Sequence, residues 1–565
     1  MDDGLADRAG NRSSYHNNKI NKLNQKPENN NKQMTDGRIL LLLILAALVI
    51  RIVASLSRPL IMLDETAYAA LAENLANGRG LLDITGQTSA YFSPLYPIMM
   101  AALGILVGNF VVAGYMISIV FGSLMLIPVY LLGREMVSAR VALLAAALLA
   151  VLPLAVDLGS MLYNESVYVF FLLMAIFFGW NLLNQQRFKC AVYTGVSLGF
   201  AYLTNPGAVF YVVAIVALAV AVAVRRRKWR RLASSITVFL IVFMVIAAPY
   251  IFFLHHELGR WTYSGKYVDS NVYTSSKNLR LESLEWEKDV LTLTDDNHEV
   301  KLLTLGKNTD LAGFLIKQPK LAARVFVQQA FYLYSKALPD VIPLWLLPLA
   351  GLGLFARGWN RRRAARMGYM ALMMTPMALI LFMYATPRFF IPFAVIALIW
   401  AAEGWQRLEQ WGSETLALDF SAETADRWRR RLTVLLAAIV LLPPMVFSAA
   451  TVAKRGYHLE LREAGEWLQG YAGDDRRIMS RESSSAYYAG GMPVYVPYAT
   501  YDRTNEFARF KDVDFMIVTR QGLLDDRPDL AERLLADGDG QREWKLVHTI
   551  RAGTPEETLV FEFVR

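Results

Sequence analysis

The chain is 565 residues long, 55% hydrophobic and only 19% charged, with a mean hydropathy of +0.31. No soluble core needs that share of apolar side chain, so composition excludes an ordinary water-soluble protein and predicts a polytopic membrane protein. The net charge of +9 does not read as nucleic-acid binding, because the arginine clusters fall between apolar runs, where cytoplasmic loops meet anionic lipid. A single cysteine, Cys190, excludes an intramolecular disulfide and a cysteine-based metal cluster.

In chain order, residues 1–38 are polar, Asn-rich and basic (Lys19, Lys22, Lys26, Lys32, Arg38), without the apolar stretch and small-residue cleavage site of a signal peptide. They are expected to form a disordered cytoplasmic tail, which sends the first apolar run, 39–56, outward. Further runs follow at 110–132, 140–157, 164–183, 189–204, 207–224, 233–254, 338–356, 366–384, 388–403 and 432–452. With the first they predict a mainly α transmembrane bundle of about eleven spans. The basic clusters at 134–140, 187–189, 225–231, 357–366 and 427–431 then all fall on the cytoplasmic side. Residues 92–107 are marginal as a span, roughly 16 residues at 1.5 Å each or about 24 Å. Counting them as a crossing would invert every basic loop, so they are expected to form an interfacial or re-entrant helix on the outer face.

Three segments are left outside: 57–109, 255–337 and everything from about 453. The last, 453–565, predicts a small soluble extracytoplasmic α/β domain, with strands at 494–498, 514–518, 544–550 and 558–564 and helices at 460–471, 505–511 and 529–536. It holds no Gly-rich phosphate loop and no metal-spaced histidine cluster, so its expected role is support or contact with an acceptor.

Chemistry concentrates at the outer membrane edge. Asp64 and Glu65 follow the first span, ahead of a helical stretch, 67–76, with Tyr68, Leu71, Ala72 and Leu75 on one face. Carboxylates at a membrane exit are costly to desolvate and are usually kept for use, although acids at a helix start also serve as caps. Glu165, in Tyr163-Asn164-Glu165-Ser166, sits where the fourth run re-enters the membrane from the same side. Asp64 and Glu165 can therefore converge as a base with an acidic helper, or as ligands of a hard divalent cation such as Mg or Mn. After the seventh run come His255, His256, Arg260 and Lys266 with Trp261 and Tyr263 between them, a cationic and aromatic cluster suited to an anionic headgroup or to a plain interfacial belt. Arg58 and Arg388 are two further cations at that edge, available to a phosphate or free to snorkel.

Four motifs together resemble the GT-C membrane glycosyltransferases. They are Asp64-Glu65 followed by Ser93-Pro94-Leu95-Tyr96-Pro97, Tyr163-Asn164-Glu165, Tyr202-Leu203-Thr204-Asn205-Pro206, and Arg388-Phe389-Phe390-Ile391-Pro392. Within that group the chain is most similar to bacterial family 39 proteins, related to protein O-mannosyltransferases and lipid A aminoarabinose transferases, over roughly residues 39 to 405. The resemblance implies a GT-C domain over 39–452 in a bacterial inner membrane. It implies transfer of a sugar, with inversion, from a polyprenyl (undecaprenyl) phosphate donor to a periplasmic envelope acceptor: lipopolysaccharide or lipid A, another glycan, or a protein. Asp64 would match the family's first-loop acid and Glu165 its second, with Glu65 beside them. Arg58, His255, His256, Arg260, Lys266 and Arg388 are the cations available for the donor phosphate. Two departures stand out: the second acid is often Asp, and Asn205-Pro206 replaces a basic residue before proline.

The chemistry needs only a base at the incoming hydroxyl and cations at the departing phosphate, so no nucleotide site is required. A transporter or lipid-linked sugar flippase is the alternative, but such proteins usually show repeated halves and mid-membrane charges, whereas these acids cluster on one face. A receptor or scaffold, with the C-terminal domain as its working part, is the other rival.

Overall fold

A computed structural model describes residues 34–226, 229–266, 284–301, 311–382, 385–419, 458–536 and 543–564, with isolated positions between 424 and 446. Most of the expected N-terminal tail, and the run at 432–452 apart from isolated positions, lie outside the described residues.

The apolar runs become helices. The first is α1 (Met34–Leu56), followed by the short α2 (Asp64–Ala76) and α3 (Leu95–Val107). Next come α4 (Phe110–Leu124), α5 (Leu126–Met136), α6 (Ala139–Val151) and α7 (Pro153–Leu158). Four long helices complete the first half: α8 (Glu165–Gln185), α9 (Phe188–Thr204), α10 (Ala208–Arg226) and α11 (Trp229–Leu258). Among the described residues, seven helices are long and apolar enough to cross a membrane: α1, α4 with α5, α8, α10, α11, and two from the second half, Arg361–Phe382 and Pro387–Thr415. An eighth is a broken pair, Pro319–Val341 and Leu346–Phe355, bent by 99°. Of the remaining expected spans, α6 has 13 residues, shorter than a full crossing, and α9 has 17, at the lower limit of one. The stretch expected to lie at the interface forms α3, 13 residues long, ended by Gly108 at φ 76.

The break between α6 and α7 at Pro153 is held by Arg51 of α1, which is fully buried. Its guanidinium donates to the carbonyls of Ala47 at 3.2 Å, Ala150 at 3.4 Å and Ala155 at 3.2 Å, so a costly intramembrane charge is spread over backbone dipoles. Gly122 and Gly159 make room for it, since a Cβ at either would stand 2.9 or 2.5 Å from Arg51 Nε. This fixes the turn at 159–164 that feeds α8. Glycine likewise lets α9 lie close on α11, where a Cβ on Gly195 would meet the Phe239 carbonyl oxygen at 2.8 Å.

Beyond α11 and the described residues up to 266, the second outer segment resumes with α12 (Leu284–Val290). It is followed by α13 (Leu311–Lys317), α14 (Pro319–Tyr332), α15 (Leu338–Val341), α16 (Leu346–Phe355), α17 (Arg361–Met374) and α18 (Ile391–Asp419). One large apolar cluster runs through the bundle, from Ala47 of α1 to Trp405 of α18.

The C-terminal domain has α19 (Leu459–Ala472), β1 (Arg477–Ser480), α20 (Ser483–Tyr488), β2 (Met492–Tyr495), α21 (Tyr501–Phe510), β3 (Phe515–Thr519), α22 (Arg520–Asp526), α23 (Pro528–Leu534), β4 (Trp544–Ile550) and β5 (Thr558–Phe563). Its sheet order is β2-β1-β3-β5-β4, with the first three strands parallel and β5 antiparallel to both neighbours. The strand missed by sequence is β1, only four residues long, Arg477-Ile478-Met479-Ser480, too short to show an alternation. Residues 284–301 join this domain: Val290, Leu291, Leu293 and Val300 are buried in its core, and Tyr498 N–H donates to the Leu291 carbonyl at 3.0 Å.

Candidate active site

Asp64 is the first residue of α2, and the residue before it is strained. Leu63 takes φ 48 and ψ −118 with its side chain exposed, a backbone conformation that a branched L-residue rarely adopts and that must be held by its surroundings. Glu65 supplies much of that hold. Its side chain is 2% exposed, its Oε2 accepts from Met62 N–H at 3.0 Å and its Oε1 accepts from Leu162 N–H at 2.9 Å. The first bond closes the turn in front of Asp64, and the second ties that turn to the loop leading into α8. Burial pushes the Glu65 carboxyl upward, partly offset by the two amide donors and Arg58.

Both Glu65 oxygens are thus taken by backbone N–H groups, which makes this carboxylate a buried strut beside Asp64. Neighbouring residues on a helix point about 100° apart, and the fold decides which of the pair faces inward.

The loop so anchored presents Glu165, the first residue of α8 and 5% exposed. Arg388 joins it to Asp64: its Nη1 lies 2.9 Å from Asp64 Oδ2 and its Nε lies 3.6 Å from Glu165 Oε1. The guanidinium also lies 5.0 Å from the centre of the Tyr163 ring and 5.1 Å from that of Phe389. Arg388 arrives on a short 3-10 turn, Pro387–Phe390, at the start of the last long described span.

A cavity of about 210 Å³ opens beside these groups. Its lining includes the charged Glu165, Arg388, Lys266 and Arg260 and the apolar Phe210, Met377, Leu379 and Ile380. Lys266 is half-buried, its ammonium 5.5 Å from the centre of the Tyr91 ring; burial and the nearby Arg388 charge push its pKa down. Two features bring Lys266 there. Tyr202 donates its hydroxyl to the Tyr263 carbonyl at 2.9 Å, and Gly265 presses on Ala90, whose carbonyl oxygen would stand 1.9 Å from a Cβ at 265. Neither Tyr91 nor Gly265 stood out in the sequence. Gly265 had no signal at all, and Tyr91 only its place before Phe92-Ser93-Pro94. The motif around Asn205 proves to be scaffold as well as lining: the Thr204 carbonyl accepts from the Asn164 amide at 2.6 Å, next to Glu165.

Three of the expected phosphate ligands are elsewhere. Arg58 is paired with Asp157 at 2.7 Å and does not line the cavity. His255 stacks on Trp261, ring centres 4.0 Å apart, and His256 is exposed, so both belong to an interfacial belt. The Arg388 guanidinium lies between the Asp64 and Glu165 carboxylates, and among the described residues no group of three or more His, Cys, Asp or Glu side chains gathers.

The fold is shared with solved structures. The crystal structure of the Archaeoglobus fulgidus oligosaccharyltransferase in complex with zinc and sulfate matches at TM-score 0.58 and 15% identity, over 88% of this chain and 70% of that one. The crystal structure of ArnT from Cupriavidus metallidurans bound to undecaprenyl phosphate matches at TM-score 0.53 and 12% identity, over 93% of this chain and 98% of that one. The chain shares the fold of these two proteins. A family model described as dolichyl-phosphate-mannose-protein mannosyltransferase matches residues 92–253 of the sequence. A search of curated proteins found no match. The Archaeoglobus fulgidus oligosaccharyltransferase AglB in complex with an inhibitory peptide and a dolichol-phosphate matches at TM-score 0.55 and 13% identity, over 94% of this chain and 74% of that one. The matched segment, 92–253, carries Glu165 and the scaffold around Asn205, while Asp64 and Arg388 lie on either side of it in sequence.

Proposed function

We propose that the chain transfers a sugar from a polyprenyl-phosphate carrier to a hydroxyl acceptor, in a single inverting displacement with Asp64 as the base. One observation carries the reading. Glu165, Arg388 and Lys266, from distant stretches of sequence, line a cavity together with apolar side chains, and Asp64 pairs with Arg388. A carrier with a charged phosphate and a hydrocarbon tail needs both kinds of lining. The acceptor oxygen attacks the anomeric carbon and its proton passes to Asp64. The bond from that carbon to the phosphate oxygen breaks, and the polyprenyl phosphate departs as an anion toward Arg388, Lys266 and Arg260. Glu165 holds the Arg388 guanidinium from the other side. Its Oε2 makes no hydrogen bond among the described residues, leaving an acceptor for a sugar hydroxyl. No step is assigned to a metal ion.

The reading places the site and the C-terminal domain on the periplasmic face of a bacterial inner membrane. In its support, the arginine clusters at 134–140 and 357–366, on the expected cytoplasmic side, are tied to the last long described span by the pairs Arg140–Glu409 and Arg363–Glu403. The acceptor is then an envelope hydroxyl, on lipopolysaccharide, another glycan or a protein. The test is a vesicle assay with an undecaprenyl-phosphate sugar, following release of undecaprenyl phosphate and the mass of the product. Asp64→Asn, still folded, should lose on the order of 10² to 10⁴ in rate. Undiminished transfer by that variant, or by Glu165→Gln and Arg388→Ala as well, sinks the reading.

A further inference from the structure

The segment that presents Asp64 is held in part by the C-terminal domain, more than 390 residues further along the chain. Residues 59–63 form no regular helix or strand, so their backbone groups must find side-chain partners. Pro59 offers its carbonyl to Arg462 Nη1 of α19 at 2.8 Å, and Ile61, 1% exposed, donates its N–H to the Tyr488 hydroxyl of α20 at 3.3 Å. Immediately after the strained Leu63, the Thr66 hydroxyl meets that of Ser483, the first residue of α20, at 2.7 Å. Two turns further on, Glu73 accepts from the Tyr487 hydroxyl at 2.6 Å. Arg462 itself lies over the Tyr488 ring, 5.2 Å from its centre, so the two anchors are one unit. The Tyr487 and Tyr488 rings pack on the same apolar cluster as Ile61, Tyr68 and Tyr96.

We infer that Arg462 and Tyr488 are positioning residues for transfer: the C-terminal domain clamps the 59–63 backbone and so holds Asp64 where it meets the acceptor hydroxyl. Neither side chain touches the cavity or Arg388. The clamp acts through Ile61 and Leu63, because an unsatisfied buried amide at Ile61 or a relaxed φ at Leu63 would let the first turn of α2 rotate. The domain is thus part of the catalytic apparatus without contributing a reacting group. The inference rests on Asp64 acting as the base.

Tyr488→Phe keeps the ring and removes only the acceptor for Ile61 N–H, and Arg462→Gln removes the second anchor. The full-length protein in vesicles should show kcat for transfer reduced about tenfold in each, equivalent to about 1.4 kcal/mol, with KM for the lipid-linked donor unchanged. Hydrogen exchange of the peptide covering 59–66 should rise in both variants while the melting temperature of the membrane bundle stays put. Unchanged exchange in both overturns the clamp, whether or not the wild type transfers sugar, and a rise in donor KM with kcat intact overturns it equally. A wild type with no transfer activity, but with the exchange response present, would leave the clamp standing and sink the proposed function instead.

Discussion

Replacing Glu65 separates a strut from an acid. The carboxylate accepts from Met62 N–H and Leu162 N–H, and at 2% exposure no water is at hand to replace it. Glu65→Ala leaves two amides without acceptors, each costing about 1–3 kcal/mol when buried; Met62 is less shielded than Leu162, so the total is about 2–4 kcal/mol. Glu65→Gln keeps one acceptor oxygen and turns an NH₂ donor toward the other amide, so roughly half of that is lost. The consequence for rate follows from geometry. A shift of about 1 Å in Asp64 is worth on the order of 10² in kcat, and Arg388 and Lys266 are untouched, so donor KM should hold.

The assay pairs thermal unfolding in detergent with single-turnover transfer normalised to folded protein. Stability and kcat should fall together, in the order wild type, Gln, Ala. If Glu65→Gln were as dead as Asp64→Asn at full stability, Glu65 would be a chemical participant and the strut argument wrong. Glu65→Ala with normal kcat per folded molecule would refute it from the other side.

The same side chain has a pH signature. Its folded pKa is raised by burial, so the stability it contributes is fully present below the unfolded value, near that of an ordinary glutamate, and is lost as pH rises through the higher folded value. Wild-type melting temperature should therefore decline across that window relative to Glu65→Gln, and parallel curves would contradict the assignment.

Three other perturbations address the phosphate side. Arg388→Lys keeps the charge but cannot reach both Asp64 and Glu165 with one planar fork, so kcat/KM should drop on the order of 10²-fold; a near-normal value would show that the bridge is unimportant. Because burial and Arg388 depress the Lys266 pKa, its charge is lost at lower pH than that of an ordinary lysine. Donor KM should rise on the alkaline side in the wild type and stay flat in Lys266→Arg, and identical profiles would remove Lys266 from donor binding. Gly265→Ala puts a methyl group 1.9 Å from the Ala90 carbonyl oxygen, which forces the strand of chain carrying Lys266 outward. KM for the donor should increase about tenfold, about 1.4 kcal/mol, with kcat little changed, and an unaltered KM would show that the close approach does not place Lys266.

What the sequence made legible follows physical range. Spans whose apolar runs exceed the bilayer thickness, such as α8 and α11, are read directly because burial in lipid demands them. The pair Asp64 and Glu165 is also legible, since a carboxylate at a membrane edge is expensive wherever it occurs. Arg388 could be singled out as an edge cation, but its place between the two acids could not, because that depends on how the start of its span packs against α8 and α2. His255, His256 and Arg58 had the right charge and the right edge and still went elsewhere, each taken by a nearer partner: Trp261, the interface and Asp157. Local composition selects candidates, and competition among partners in three dimensions chooses between them.

The same competition explains why the C-terminal domain had no catalytic signal of its own. Its sheet carries no residue of the site, and its motifs are those of a supporting fold. Yet Arg462, Ser483, Tyr487 and Tyr488 reach 59–73, where the bundle lacks partners for an extended backbone under strain. A base at a membrane edge must sit on irregular chain to face an acceptor from water, and irregular chain must borrow its hydrogen bonds. In this protein Glu65 supplies them from within the segment and the C-terminal domain supplies the rest. Any rearrangement that lifts that domain from α2 thereby withdraws the partners of Pro59 and Ile61 and loosens the turn before Asp64, while Arg388 and Lys266 keep their places at the cavity.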